Sequence, residues 1–161
     1  MREKNPQDSE DKLYNYVMMF LVDMDEPGLV VFPTHRLIRD LPGFSETQVV
    51  DALVDMFDIE KISVENSASD EIMKKLEANC EDKVFAMYTG KEFYYLLQLK
   101  SMEFQREALP DKSEAYIDLD VSILHTLILD RVFGIDSENM RNQGNLVYTR
   151  DAKEAEQKVK D

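Results

Sequence analysis

The chain has 161 residues, of which 43% are hydrophobic and 32% charged, and this length is sufficient for one domain with a sizeable core. Its 33 acidic and 19 basic side chains give a formal net charge of −14, which argues against binding to nucleic acid or anionic lipid. The single cysteine excludes an internal disulfide and a Cys-based metal cage, and the longest apolar run is far too short to cross a bilayer. We therefore expect a cytoplasmic protein with no nucleic-acid or membrane partner.

The N-terminal residues differ in character from the rest of the chain. Residues 1–12 are polar and of mixed charge, which predicts a flexible or helical arm. Apolar patterning begins directly afterwards, so residues 13–161 are predicted to form a single domain.

Two strongly apolar runs, Tyr14–Val22 and Leu29–Phe32, flank an acidic connection that contains the turn signal Pro27-Gly28. This pattern predicts a pair of antiparallel strands. The first run is apolar on both faces, so we expect it in the interior of a sheet that is covered on both sides. The second strand must end at Pro33, because proline has no N–H to donate to a neighbouring strand.

The next segment alternates between helical and extended patterns. A capping box, with Ser45 as the first residue and Gln48 reaching back to it, predicts a helix that runs to about Phe57. The alternation over residues 58–65 predicts a half-buried strand. Acidic residues followed by lysines over residues 69–79 predict a surface helix.

A second strand pair is predicted at Val84–Thr89 and Glu92–Lys100, around a short link that contains glycine. In the second of these strands, odd-numbered and even-numbered side chains point to opposite faces of the sheet. Val121–Phe133 is the most apolar helical pattern in the chain, and we expect Asp118 or Asp120 to cap it.

The C-terminal residues predict one more strand and one more helix. The strand is expected at Leu146–Thr149 and the helix over residues 151–161, with i,i+4 ion pairs Glu154–Lys158 and Glu156–Lys160 along it. Few apolar side chains occur in this helix, so it should be marginal by itself. Together, the order of elements predicts an α+β fold, with a mixed or mainly antiparallel sheet covered by helices.

The best candidate for chemistry is the cluster of Thr34, His35 and Arg36 at the end of the second predicted strand. Because side chains alternate along a strand, Thr34 and Arg36 should share one face while His35 points to the other. Arg36 suits capture of an anion or phosphate, and His35 suits proton transfer. The alternative is purely structural: an arginine paired with a nearby carboxylate and a histidine that only packs.

Two other groups have weaker chemical potential. Asp23, Asp25 and Glu26 offer oxygen ligands to a divalent cation, but they lack the spacing of a calcium loop, and acidic loops are common in an acidic protein. His125 lies among apolar residues at helical spacing, which is typical of a core histidine whose hydrogen bonds are satisfied. The two histidines do not have the spacing of a zinc site.

Three segments of the chain together resemble the uncharacterised prokaryotic family DUF1015: VMMFLVDMDEPGLVVFPTHRLI (17–38), LDVSILHTLILDRVFGI (119–135) and VYTRDAKEA (147–155). Members of that family are longer and carry an Asp-Gly-His-His-Arg motif before the equivalent of Tyr14. That motif resembles the nucleotide-binding motif of ParB-like and sulfiredoxin-like proteins, and this sequence lacks it. The resemblance therefore implies that the chain is a fragment of a longer protein and is inactive by itself.

The resemblance implies a function for the full-length form. It would bind a nucleotide or another small phosphorylated ligand, such as ATP or ADP with Mg²⁺, and act as a phosphotransferase. Arg36 would hold phosphate oxygens beside Thr34, His35 would be the acid or base, and Asp23 or Asp25 would hold the metal. The alternative is a non-enzymatic interaction or regulatory module that forms a homodimer through exposed sheet edges.

Overall fold

The computed structural model describes residues 16–21, 23, 34–63, 68–79, 82–142 and 144–161. The chain divides into two units, Met1–Phe32 and Pro33–Asp161. The predicted N-terminal arm and the predicted strand Leu29–Phe32 lie outside the described residues.

In the first unit, Tyr16–Leu21 have no regular secondary structure, and their side chains are 62–92% exposed. The prediction of a strand covered on both faces is therefore wrong for these residues. An apolar run indicates that burial would be favourable, but it does not supply the neighbouring strands that would satisfy its backbone groups.

In the second unit, the described residues form strands at His35–Ile38 (β1), Phe57–Ser63 (β2), Val84–Tyr88 (β3), Phe93–Leu99 (β4) and Leu146–Thr149 (β5). They form α-helices at Glu46–Leu53 (α1), Ala68–Ala78 (α2), Glu103–Ala108 (α3), Glu114–Ile117 (α4), Asp120–Ile123 (α5), Ser137–Asn142 (α6) and Ala152–Lys160 (α7). A π-helical segment, Leu124–Asp130, continues directly from α5. The α+β prediction is confirmed.

The described strands form two antiparallel sheets and not the single sheet that the sequence predicted. In the larger sheet, β4 lies between β2 and β3, and the predicted β3–β4 hairpin is confirmed. In the smaller sheet β1 pairs with β5, so that His35 lies opposite Thr149 and Arg36 opposite Tyr148. The ends of the chain's second unit are therefore brought together by strand pairing.

The main core packs the helices of the second unit against one face of the larger sheet. Tyr95 and Leu97 of β4 lie there with Leu53 of α1 and Leu127 of the π-helical segment, all at most 2% exposed. The opposite face packs Tyr94 against α2. Odd and even residues of β4 thus separate as predicted, because successive side chains of a strand point to opposite faces.

The helix that was predicted at 121–133 is only partly α-helical. The amide of Arg131 donates to the carbonyl of Thr126, and that of Phe133 to the carbonyl of Ile128, each spanning five residues. These are π-helical bonds, which are rare and are frequently found at functional sites. The helix ends before Gly134, whose φ of +68° suits glycine.

The predicted helix caps are only partly correct. Ser45 is the N-cap of α1, but its side chain makes no capping hydrogen bond, and α1 ends at Leu53, before the predicted Phe57. Leu119 is the N-cap of α5, so neither Asp118 nor Asp120 has the predicted role. Both aspartates instead form ion pairs with Lys83, which lies beside β3. This tertiary contact is not visible in the local sequence pattern.

Helix α7 was predicted to be marginal by itself, and in the structure the ion pair between Lys153 and Asp70 joins it to α2. Asp151 caps it by accepting hydrogen bonds from the amides of Lys153 and Glu154. Both predicted i,i+4 ion pairs form along it, Glu154–Lys158 and Glu156–Lys160.

Among the described residues, no helix has both the length and the apolar character that crossing a bilayer requires.

Candidate functional site

A cavity of about 460 Å³ lies within the second unit. Its walls come from β1 and the turn after it, from β3, and from the π-helical segment. The apolar part of the lining includes Phe44, Phe85, Leu97, Leu124, Ile128 and Phe133. Charged side chains enter from one wall only, at Arg36, Arg39 and Asp40. The cavity has the size of a typical small-molecule site, with an apolar interior and a few polar groups.

Arg36 is the predicted site residue that the structure places in this cavity. One of its terminal nitrogens, Nη1, donates a 2.6 Å hydrogen bond to the carbonyl oxygen of Thr34. Its Nε is buried and has no hydrogen-bond partner, and no carboxylate of the described residues lies within ion-pair distance. The structural alternative, in which Arg36 pairs with a carboxylate, is therefore not observed in the described part of the chain.

The electrostatic surroundings of Arg36 are unusual for a cation. Burial lowers the pKa of its guanidinium. The phenol of Tyr148, which lies opposite Arg36 on β5, opposes that shift. A half-buried cation loses part of its hydration, and among the described residues the Nε of Arg36 gains no hydrogen bond in exchange. An anion that reached this guanidinium would supply the missing interaction.

His35 and Thr34 occupy different positions from Arg36. Among the described residues, His35 and Arg36 are the first two residues of β1, and Thr34 is exposed and precedes that strand. His35 points away from Arg36 along the strand, as the alternation predicts, and it does not line the cavity. Burial is the main cause that lowers the pKa of His35, and the positive charge of Arg36 lowers it further. The negative charge of Asp151 opposes both effects.

His125 is the residue that the sequence reasoning undervalued. It lies in the π-helical segment, next to Leu124 of the cavity lining, and its Nε2 is buried with no hydrogen-bond partner among the described residues. The prediction of a satisfied core histidine is therefore wrong. Burial and the positive charge of Arg36 both lower the pKa of His125. The two side chains therefore interact electrostatically, although they are far apart in sequence.

Of the three predicted metal ligands, Asp23 alone belongs to the described residues. Asp23 belongs to the first unit and is exposed, and Asp25 and Glu26 lie outside the described residues. Among the residues that are described, no three His, Cys, Asp or Glu side chains are arranged to hold a metal ion. A metal site at Asp23 and Asp25 stays a prediction.

Glu46 organises the polar edge of the cavity, and sequence reasoning did not single it out. Its carboxylate accepts hydrogen bonds from Tyr95 (2.5 Å) and from the cavity residue Thr89 (2.8 Å), and it forms an ion pair with Lys91 (2.9 Å). This carboxylate therefore holds the hydroxyl of Thr89 in place. The three partners come from distant positions, so no local pattern indicates the cluster.

Comparison with known proteins gives one match. The model of a family described as a protein of unknown function (DUF1015) matches residues 1–122. No curated protein and no solved structure matches the chain. The matched range includes Arg36 and the three strands that contribute to the lining of the cavity, β1, β3 and β4, and it ends just before the π-helical segment. Because the family model covers 122 of the 161 residues, the chain belongs to the DUF1015 family of proteins of unknown function.

Proposed function

We propose that this protein binds a small phosphorylated ligand in the cavity between β1 and β3, with Arg36 as the residue that holds the phosphate. The observation that carries the proposal is the buried Nε of Arg36, which has no partner among the described residues and belongs to a side chain that lines the cavity. A guanidinium presents several N–H donors in a planar fork that matches phosphate oxygens.

The charge distribution supports this choice of ligand. The chain carries a net charge of −14, so an anion meets repulsion over most of its surface. Arg36 and Arg39 place two cations on one wall of the cavity. Arg39 already forms an ion pair, with its Nε 3.6 Å from the Oδ2 atom of Asp40. Arg36 thus provides the local positive charge that a phosphate needs in an otherwise acidic protein.

A phosphotransferase role is the further step within this proposal. The ligand would be ATP or ADP with Mg²⁺, Thr34 would contribute beside Arg36, and Asp23 or Asp25 would approach the metal. The lowered pKa of His35 keeps this imidazole neutral near pH 7, which suits a proton acceptor. His125 has the same property and lies beside the cavity lining, so it competes with His35 for that role.

Isothermal titration calorimetry with pyrophosphate and with ADP, each with and without Mg²⁺, tests the proposal. We expect Arg36→Met, which keeps the apolar stem but removes the charge, to weaken binding at least tenfold. Arg131→Ala is the matched control, because Arg131 is exposed and outside the cavity lining. Equal binding by the wild type and Arg36→Met, or no binding by the wild type, would rule out the proposed site.

A non-enzymatic interaction module is the second candidate, and a separate observation favours it. Within the described part of the chain, β1 and β3 each pair with one strand only, and Tyr16–Leu21 expose an apolar run. Unpaired strand edges and exposed apolar surface both favour association with another chain, including a second copy. Sedimentation velocity over a wide concentration range decides: a strict monomer would exclude the homodimer.

A further inference from the structure

We infer that the ligand of this cavity is a phosphate monoester with an apolar, ring-sized body, and not inorganic phosphate or a sugar phosphate. This inference rests on the proposed phosphate contact at Arg36 and adds the chemical class of the remainder of the ligand. It follows from what the walls opposite Arg36 can and cannot bind.

The interior walls are apolar on two sides. The sheet contributes Phe85 and Leu97, and the helical wall contributes Leu124, Ile128 and Phe133. An apolar ligand surface that leaves water for these walls gains free energy in proportion to the area buried. The aromatic rings of Phe85 and Phe133 additionally favour a flat, unsaturated ligand body.

The polar side chains of the lining other than Arg36 are bound to neighbouring protein groups or lie at its exposed rim. Thr89 donates its hydroxyl to Glu46, and Tyr88 interacts with Lys160. Arg39 and Asp40, whose side chains are 58% and 78% exposed, form an ion pair with each other. Among the described lining residues, Arg36 is the one with a buried nitrogen that lacks a partner. A sugar phosphate would bury several hydroxyls against hydrocarbon, and each unpaired polar group opposes binding.

The volume sets the size of the ligand body. A cavity of roughly 150 Å³ accommodates benzene. The volume here, about 460 Å³, leaves space for one or two fused rings together with a phosphate. Inorganic phosphate alone would leave most of the apolar wall uncovered.

Calorimetry with four probes tests the inference: 1-naphthyl phosphate, glycerol 3-phosphate, inorganic phosphate and 1-naphthol. We expect 1-naphthyl phosphate to bind at least tenfold more tightly than each of the other three. Glycerol 3-phosphate carries the phosphate on a polar body, and 1-naphthol carries the apolar body without phosphate. Comparison with these two probes shows how much of the affinity comes from the phosphate and how much from the apolar body.

Phe44 offers a variant that changes the apolar lining with little loss of buried core contact. Phe44 is 50% exposed and lines the cavity in the turn after β1. Phe44→Ala should remove part of the apolar wall and weaken the binding of 1-naphthyl phosphate at least fivefold, with little effect on inorganic phosphate. Phe44→Leu is the control that keeps an apolar side chain at this position, and circular dichroism reports whether each variant is folded.

The possible outcomes separate the two proposals. If all three phosphates bind with equal affinity and lose it in Arg36→Met, the phosphate site stands and the inference of an apolar ligand body is wrong. If 1-naphthol binds as tightly as 1-naphthyl phosphate and Arg36→Met does not change either affinity, the proposed phosphate site and the inferred monoester class are both wrong. If no probe binds, both proposals are overturned.

Discussion

The phenol of Tyr95 donates a 2.5 Å hydrogen bond to the carboxylate of Glu46 and so joins the central strand β4 to the first turn of α1. Tyr95 is 2% exposed, and the Glu46 side chain is 13% exposed. This hydrogen bond, together with those from Lys91 and Thr89, lowers the pKa of Glu46 to about 2. Burial and the same carboxylate raise the pKa of Tyr95 to about 12.

Glu46 should make the free energy of unfolding depend on pH in the acidic range. Its carboxyl has a lower pKa in the folded protein than in the unfolded chain, so its contribution is present above about pH 4.5 and is lost as the pH falls towards 2. We expect Glu46→Gln to lower the free energy of unfolding by about 1–3 kcal/mol at pH 7, since charge-assisted bonds are lost. Urea denaturation followed by circular dichroism at several pH values measures this. A difference between wild type and variant that stays constant from pH 7 to pH 2 would contradict the assignment.

His125 should lower stability as the pH falls through the histidine range. Its pKa is lower in the folded state, so protonation below about pH 6.5 favours the unfolded chain. His125→Leu removes both this titration and a buried nitrogen that has no hydrogen-bond partner among the described residues. We therefore expect the loss of stability between pH 7 and pH 5 to become smaller. His35 also has a lowered pKa, and His35→Leu is therefore the comparison that shows how much of the slope belongs to each histidine. Parallel pH profiles for His125→Leu and the wild type would show that His125 is not the group responsible.

Glu156 should be the residue that attaches α7 to the larger sheet. Its carboxylate accepts a 2.6 Å bond from Lys160, and its negative charge and hydrogen bond add to burial in raising the pKa of Tyr94. We expect Glu156→Gln to cost less than Glu156→Ala, which leaves the buried phenol of Tyr94 without an acceptor and costs about 1–3 kcal/mol. Glu107→Ala, an exposed position on α3, is the control. Equal thermal stability of Glu156→Ala and Glu107→Ala would argue against this role.

Gly90 should tolerate substitution less well than Gly43. Both have positive φ, +83° and +71°, so alanine meets a similar backbone penalty of about 1–2 kcal/mol at each position. At Gly90 a Cβ atom would additionally lie 3.1 Å from the carbonyl oxygen of Val159 in α7, whereas at Gly43 it would meet nothing within 4 Å. We expect Gly90→Ala to be the less stable variant by at least about 0.5 kcal/mol in urea denaturation. The reverse order would indicate that α7 does not pack against the β3–β4 turn.

Some features of the candidate site were accessible from sequence, and others were not. Alternation along a strand predicted that Arg36 and His35 point in opposite directions, and the structure places only Arg36 in the cavity. The same reasoning misjudged His125, because helical spacing among apolar residues does not reveal which hydrogen-bond partner is missing. It also overlooked Glu46, whose partners at Thr89 and Tyr95 are separated from it by 43 and 49 residues.

The sequence by itself determined the features that depend on neighbouring residues: the two faces of β4, the β3–β4 hairpin, the strand Leu146–Thr149 and the ion pairs along α7. Each follows from a period of two or of 3.6 residues, which side-chain chemistry encodes locally. Only the tertiary structure decided that β1 pairs with β5, where Asn145 bonds to the carbonyl of Arg39 across 106 residues, and that the charge of Arg36 reaches His125. Contacts between distant residues depend on how the elements pack, and the cavity exists only because that packing leaves the space between β1, β3 and the π-helical segment unfilled.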